Sequence, residues 1–301
     1  MKIGIDIGGS HIGIGLIKNA EIVASKEKNF NREDRKNIEK TIINSIQEMI
    51  TKLLEEQNLK IEEIELIGIA APGTISNGVI VKAGNLNLEN FEILSELKKI
   101  YQIPLQIRND GKCAALAEKV YGAMKDYEDC VFLNIGTGIG GAAFLGGKLL
   151  EPKRYSGFEF GHMVLNQGGR LCSCGKQGCF EAYSSIKALK MKVTEALDVD
   201  SDISGQYLRE ELLIKDDPRV KEAIEVFLEY LKTGIGNLID IFEPEIVCLG
   251  GSFAYYEGNP VLEQLIEKLR AKNATFNGGE LPVIVTASLK NDAGIIGAVI
   301  E

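Results

Sequence analysis

The chain has 301 residues, 45% hydrophobic and 26% charged, with 33 glycines gathered in particular places, which excludes disorder and leaves room for two lobes of ordinary size. Its 34 basic and 43 acidic residues give a net charge of −9, so it has no basic field to neutralise a phosphate backbone and nucleic acid is not expected as a partner. The opening MKIGIDIGGS breaks its apolar run at Asp6 and the closing IIGAVIE carries no lipidation signal, so neither export nor anchoring is expected and the chain is placed in the cytoplasm.

Along the chain, IGIDI (3–7) reads as a buried strand, Gly8 and Gly9 as a tight turn, and 12–17 as a return strand, with Asn19 starting the next turn. A helix follows over 38–54, where Ile38, Ile42, Ile46, Met49, Ile50 and Leu53 recur at three- and four-residue steps. IELIGIAAPG (64–73) and IPLQIRND (103–110) read as further strands, the second running into an alanine-rich helix over 112–121. This alternation of strand and helix predicts an α/β lobe.

The start of the chain then recurs. IDIGGSHIG (5–13) and LNIGTGIGG (133–141) share strand, polar residue, glycine turn and strand at an offset of 128 residues, a pattern of either two lobes on one plan or two coincidental glycine hairpins. Residues 130–147 are uncharged for 18 positions, but six of these are glycine. Each glycine weakens a helix by about 1 kcal/mol relative to alanine, so a strand pair is expected there and not a membrane span. Helices are expected near 181–197 and 218–241, a buried strand in FEPEIVCLGGS (242–252), and a closing helix in NDAGIIGAVI (291–300). No Pro/Ser-rich linker divides the halves.

Three strands end in glycine, at Gly8-Gly9, Gly136-Thr137-Gly138 and Gly250-Gly251, with the hydroxyls of Ser10, Thr137 and Ser252 beside them. Such turns let backbone N–H groups approach and point at an anion, so together they predict a nucleotide. Gly136, Gly138 and Gly141 satisfy G-x-G-x-x-G, but that motif opens a helix, whereas Gly146-Gly147 followed by Lys148 signals a hairpin. No Walker lysine motif is present. What remains is the actin-like arrangement, in which hairpin turns from two lobes grip ATP.

Asp6 and Asp110 sit at strand ends. Asp110 precedes a helix whose positive end favours the carboxylate. Phosphoryl transfer needs an oriented carboxylate more than a strong base, so Asp110 suits a catalytic role and Asp6 suits Mg2+ held against the phosphates. A helix cap or turn carboxylate is the plain alternative for each.

Of six cysteines, Cys113, Cys130 and Cys248 lie singly in apolar surroundings, while Cys172, Cys174 and Cys179 cluster ten residues after His162. Three thiolates and an imidazole suit a closed tetrahedral zinc site, structural because no coordination position stays open. A disulfide would leave one cysteine over, and C-x-C is not the redox C-x-x-C pair. Glu159 and Glu181, close to these ligands in sequence, could accept hydrogen bonds from sugar hydroxyls.

DIGGSHIGIGLI, APG (71–73), NDGKCAALAE, NIGTGIGGA, EFGHM, CSCGKQGCFEAYSS, FEPEIVCLGGS and NDAGIIGA together resemble the ROK family of repressors and sugar kinases over nearly the whole chain. The resemblance implies the two-lobed actin-like ATPase (sugar kinase) fold. Its smaller α/β lobe would be 1–110 plus 288–301, its larger lobe 111–287 with the zinc loop, and ATP and sugar would lie in the cleft between them. It implies that Asp110 takes the proton of a sugar hydroxyl, usually on C6. Gly73, Asn109, Glu159, His162 and Glu181 would fix the sugar, with His162 shared between sugar and zinc. ATP would meet Gly8 to Ser10, Gly136 to Gly138 and Gly250 to Ser252. One departure is Ser10-His11 where Thr-Lys is common.

Glucose is the leading substrate expectation, with N-acetylmannosamine and N-acetylglucosamine as alternatives, and homo-oligomers are common in the family. A sugar sensor without catalysis is the competing reading. The phosphate motif starts at residue 6, where a repressor would first carry a DNA-binding module, and the charge is acidic. A kinase is therefore the expectation.

Overall fold

The computed structural model describes residues 1–152, 158–271, 274–276 and 280–301. In chain order the elements are β1 (Lys2–Ile7), β2 (His11–Lys18), β3 (Glu21–Asn29), α1 (Ile38–Glu56), β4 (Leu66–Ala71), β5 (Thr74–Ser76), β6 (Val79–Ala83), β7 (Leu88–Phe91), α2 (Ile93–Lys98), β8 (Leu105–Asn109) and α3 (Asp110–Val120). They continue with β9 (Cys130–Ile135), β10 (Ile139–Leu145), β11 (Lys148–Leu149), α4 (Glu181–Ser184), α5 (Ile186–Leu197), α6 (Gly205–Tyr207), α7 (Pro218–Phe242), β12 (Ile246–Gly250), α8 (Pro260–Leu269), β13 (Val283–Thr286) and α9 (Asp292–Gly297). Two compact units result, one of Met1–Gly122 with Asn291–Glu301 and the other of Ala123–Leu150 with most of the stretch to Lys290.

In the first unit the strands run β3-β2-β1-β4-β8, with β1, β2 and β3 antiparallel and β1, β4 and β8 parallel. Side chains alternate across a strand, so Ile3, Ile5 and Ile7 join Ile67 and Ile69 in a core shared with Ile42, Ile46, Ile50 and Leu53 of α1. The opposite face is built of glycine so that α9 can lie close. A Cβ on Gly68 would overlap the carbonyl oxygen of Ala298. Gln106 Nε2 donates to that same oxygen at 2.7 Å, and Lys2 Nζ donates to Val299 O at 3.1 Å.

The second unit repeats the plan with β11-β10-β9-β12-β13, again an antiparallel meander followed by parallel strands. β1 and β9 are six residues each and begin at Lys2 and Cys130, and the second strands begin at His11 and Ile139. The recurrence in sequence is therefore one topology used twice. Its core joins Val131, Leu133 and Val247 to Leu189, Phe227, Leu231 and Leu265 of α5, α7 and α8. Residues 130–145 form a hairpin, not a span, and among the described residues no helix is long and apolar enough to cross a membrane.

Several boundaries differ from the sequence reading. The first unit runs to Gly122 and not to 110, because α3 packs on α9. The expected helix over 181–197 breaks at Ser185, whose Oγ accepts the Ala188 N–H at 3.1 Å and so caps α5. The closing helix is only Asp292–Gly297. β3 and the small β5-β6-β7 sheet were not anticipated.

Candidate functional site

In the first unit, β1 ends at Ile7, one residue after Asp6, and the chain turns through Gly8, Gly9 and Ser10 into β2. The Gly8 N–H is used inside the turn, donating to His11 O at 2.9 Å, while Ser10 O accepts the Phe30 N–H at 2.8 Å. The side chain of Arg35, which the sequence reading passed over, donates through Nη2 to Gly9 O at 2.6 Å. Ser10 Oγ and His11 Nδ1 lie 3.4 Å apart.

β4 and β8 run parallel, with Ala71 paired to Asn109, and this brings the residues just beyond β4 to the start of α3. Asn109 Oδ1 accepts the Lys112 N–H at 3.2 Å and caps α3, while its Nδ2 donates to Gly73 O at 3.0 Å. Asp110 follows as the first helical residue, its Oδ1 accepting the Gly111 N–H at 2.8 Å. Burial, and then the charge of Asp110, push the Asp6 carboxyl from 3.8 up to about 7. Asp6 and Asp110 are therefore electrostatic neighbours. A divalent cation suits this pair, because it would relieve both the mutual repulsion and the desolvation of Asp6.

In the second unit, the Gly136 N–H donates to Gly138 O at 2.9 Å and closes the turn between β9 and β10. The Gly136 N–H is thereby used inside the turn. The loop after β12 lies against it, for a Cβ on Gly136 would sit 3.6 Å from Ser252 Oγ. Gly251 holds a left-handed φ of +65, and a Cβ there would come within 2.5 Å of Asn134 Oδ1. Any other residue at this position would be strained and crowded.

The ligand atoms of His162, Cys172, Cys174 and Cys179 all lie within 4.8 Å of one another. Tetrahedral zinc with bonds of about 2.3 Å to sulfur and about 2.0 Å to nitrogen sets S···S edges near 3.8 Å and S···N edges near 3.6 Å. Cys174 Sγ and Cys179 Sγ are 3.7 Å apart, and Cys172 Sγ and His162 Nδ1 are 3.6 Å apart. Both the donor set and its spacing fit zinc. Burial, with hydrogen bonding to Cys174 and Cys172, pushes the Cys179 thiol up to about 12, so a metal would be needed to ionise it at neutral pH.

Glu181, at the start of α4, does not simply face water beside the ligands. Its Oε2 accepts the Ile139 N–H at 2.9 Å, and its Oε1 accepts Ser173 Oγ–H at 3.0 Å. Glu159 is exposed, and its carbonyl accepts the His162 N–H at 2.9 Å, opening the short turn that presents the histidine. Lys176 Nζ donates to His162 O at 2.8 Å. Asn166 Nδ2 donates to the hydroxyls of Tyr183 and Tyr230, both at 3.1 Å, and these two rings stack at 3.9 Å.

Sequence reasoning missed Arg35, Ser173 and the Asn166–Tyr183–Tyr230 group. Only Ser173 offered a local signal, its place between two metal ligands. The sugar and nucleotide residues expected of the first unit come together there, around the ends of β1, β4 and β8. Those expected of the second unit gather around the β9–β10 turn and the metal loop.

The ROK family model matches residues 2–300. A glucokinase of Halalkalibacterium halodurans is 28% identical, over 98% of this chain and 92% of its own. A xylose repressor of Caldicellulosiruptor bescii is 28% identical, over 99% of this chain and 76% of its own. Among solved structures, a ROK family glucokinase from Streptomyces griseus in complex with glucose and AMPPNP superimposes with a TM-score of 0.81 at 24% identity, covering 99% of this chain and 97% of its own. The fold is the mixed α/β, actin-like sugar kinase fold, and the chain belongs to the ROK family.

Proposed function

We propose that the protein is an ATP-dependent sugar kinase that phosphorylates a hexose hydroxyl, with glucose at O6 the leading substrate. The observation that carries this reading is the placement of Asn109 and Asp110. One residue caps α3 and grips Gly73, which leaves the next carboxylate oriented at the positive helix end. An oriented carboxylate beside a second acid is what a phosphoryl transfer to a hydroxyl calls for.

In this reading Asp110 orients the sugar hydroxyl and accepts its proton as the O–P bond forms, so the reaction relies on position more than on basicity. Asn109, Glu159, His162 and Glu181 hold the remaining hydroxyls, with the backbone at Gly73. His162 turns Nδ1 to the cysteines, so Nε2 serves the sugar. Thr137 and Gly138 in one unit, and Gly9 and Ser10 in the other, offer amides to phosphate oxygens, with Gly250, Gly251 and Ser252 beside the first of these turns. Asp6 would hold Mg2+, which when bound neutralises phosphate charge, leaving Asp110 free to take the proton. His162, Cys172, Cys174 and Cys179 would hold zinc, whose contribution is to the shape of the sugar-binding loop.

The match to a xylose repressor over nearly all of this chain supports a second reading, a sugar sensor without catalysis. The test is ADP release with magnesium and ATP across glucose, fructose, mannose, allose, N-acetylglucosamine and N-acetylmannosamine. Turnover of one sugar, lost in Asp110→Ala, supports the kinase. Silence across the panel in zinc-replete protein favours the sensor.

A further inference from the structure

The Glu181 carboxylate joins two features that the proposed function treats as separate. Its Oε2 accepts the N–H of Ile139, the residue directly after the Gly136–Gly138 turn. Its Oε1 accepts the hydroxyl of Ser173, which lies between the metal ligands Cys172 and Cys174, and Cys172 Sγ–H approaches the same oxygen at 3.7 Å. A second link runs through the backbone, because the Gly136 carbonyl accepts the Ile186 N–H at 2.9 Å from the first residue of α5. The glycine turn is thus held at both ends by the short segment that follows the metal loop.

There is little slack in this arrangement. A Cβ on Gly138 would overlap Glu181 Oε2, so carboxylate and turn are in close contact. The zinc-dependent loop bears on the other oxygen. A carboxylate has about four acceptor positions; Ser173 and Cys172 approach Oε1 and Ile139 takes one on Oε2, so capacity remains on Oε2 for a sugar hydroxyl.

We infer that Ser173 is a positioning residue for nucleotide binding, acting through Glu181 and Ile139, and that metal in the cysteine–histidine cluster sets ATP affinity as well as sugar affinity. This rests on the reading of the Gly136–Gly138 turn as a phosphate site. Metal holds Cys172 and Cys174, their spacing places the Ser173 hydroxyl, that hydroxyl fixes the rotamer of Glu181, and the carboxylate fixes the Ile139 amide and with it the turn.

The test is calorimetric titration of AMPPNP with Mg2+ into zinc-replete wild type, Ser173→Ala and Ser173→Thr, with zinc content measured in each and no sugar present. A lost hydrogen bond to a charged acceptor predicts affinity weakened about tenfold in Ser173→Ala, with zinc content unchanged and the threonine variant near wild type. Faster amide exchange in the peptide covering Ile139 should accompany the loss in Ser173→Ala and in metal-stripped wild type. Equal AMPPNP affinity in wild type and Ser173→Ala overturns the inference and leaves the kinase reading intact. Absence of AMPPNP binding in wild type overturns both.

Discussion

Asn109 Nδ2 donates to the carbonyl oxygen of Gly73 at 3.0 Å, while the other end of the same amide caps α3. One side chain therefore ties the segment after β4 to the start of the helix that bears Asp110. Asn109→Ala removes a cap worth about 1 kcal/mol and a further hydrogen bond of about 1 kcal/mol. The expected result is a melting temperature lower by several degrees, with a fall in kcat and a rise in KM for sugar. An unchanged kcat would show that Asp110 does not depend on this anchor.

Asp6 gives the folded protein a pH dependence. Its carboxyl titrates near 7 when folded, against 3.8 as the ordinary value, so the folded state binds the proton more tightly. Stability from this group is present at low pH, declines as pH rises from about 4 to about 7, and is flat above. The penalty above pH 7 is on the order of 4 kcal/mol. Asp6→Asn cannot ionise, so in magnesium-free buffer it should out-melt wild type by more at pH 8 than at pH 5, while losing kinase activity. A difference that does not change with pH would refute the assignment.

Metal removal should act unequally on the two substrates. With the four ligands free, the 162–179 loop loses its cross-link. Sugar affinity, which uses His162, Glu159 and Glu181, should fall more than tenfold, whereas nucleotide affinity falls only severalfold. Chelation followed by calorimetry with each ligand checks this, and zinc added back should restore both and raise the melting temperature. Equal sugar affinity with and without metal would count against the loop as part of the sugar site.

Gly251→Ala places a methyl group against Asn134 Oδ1 and the Ile135 carbonyl at a left-handed φ. The backbone cost alone is about 1–2 kcal/mol. Relief would move the Gly250–Ser252 loop away from the Gly136 turn, so the KM for ATP should rise severalfold with the KM for sugar little changed. Steady-state kinetics with each substrate varied distinguishes the two.

The features legible in the sequence were those written within a few residues: the glycine turns, the Asn109-Asp110 pair, the H-x9-C-x-C-x4-C ligands and the repeated strand–turn–strand. β3 was not, because the consecutive charges of Lys26, Glu27 and Lys28, suited to an exposed edge strand, hide its apolar alternation. The β5–β7 sheet was missed because its strands are three to five residues long. Arg35 reaches Gly9 from 26 residues away, and Asn166 meets Tyr230 from 64, relationships that no local spacing carries. The break at Ser185 is a cap that lay inside an otherwise helical pattern.

The packing of α9 against β1, β4 and α3 makes the first unit discontinuous in sequence. On a ribosome, residues 1–122 emerge first but cannot complete their sheet face until 291–301 have been made, whereas the second unit draws on 123–290 alone. The second unit can therefore close its core before the first, although it is made later. Glycine-faced strands such as β4 wait longest uncovered, which makes the first unit the one most dependent on protection while the chain is being made.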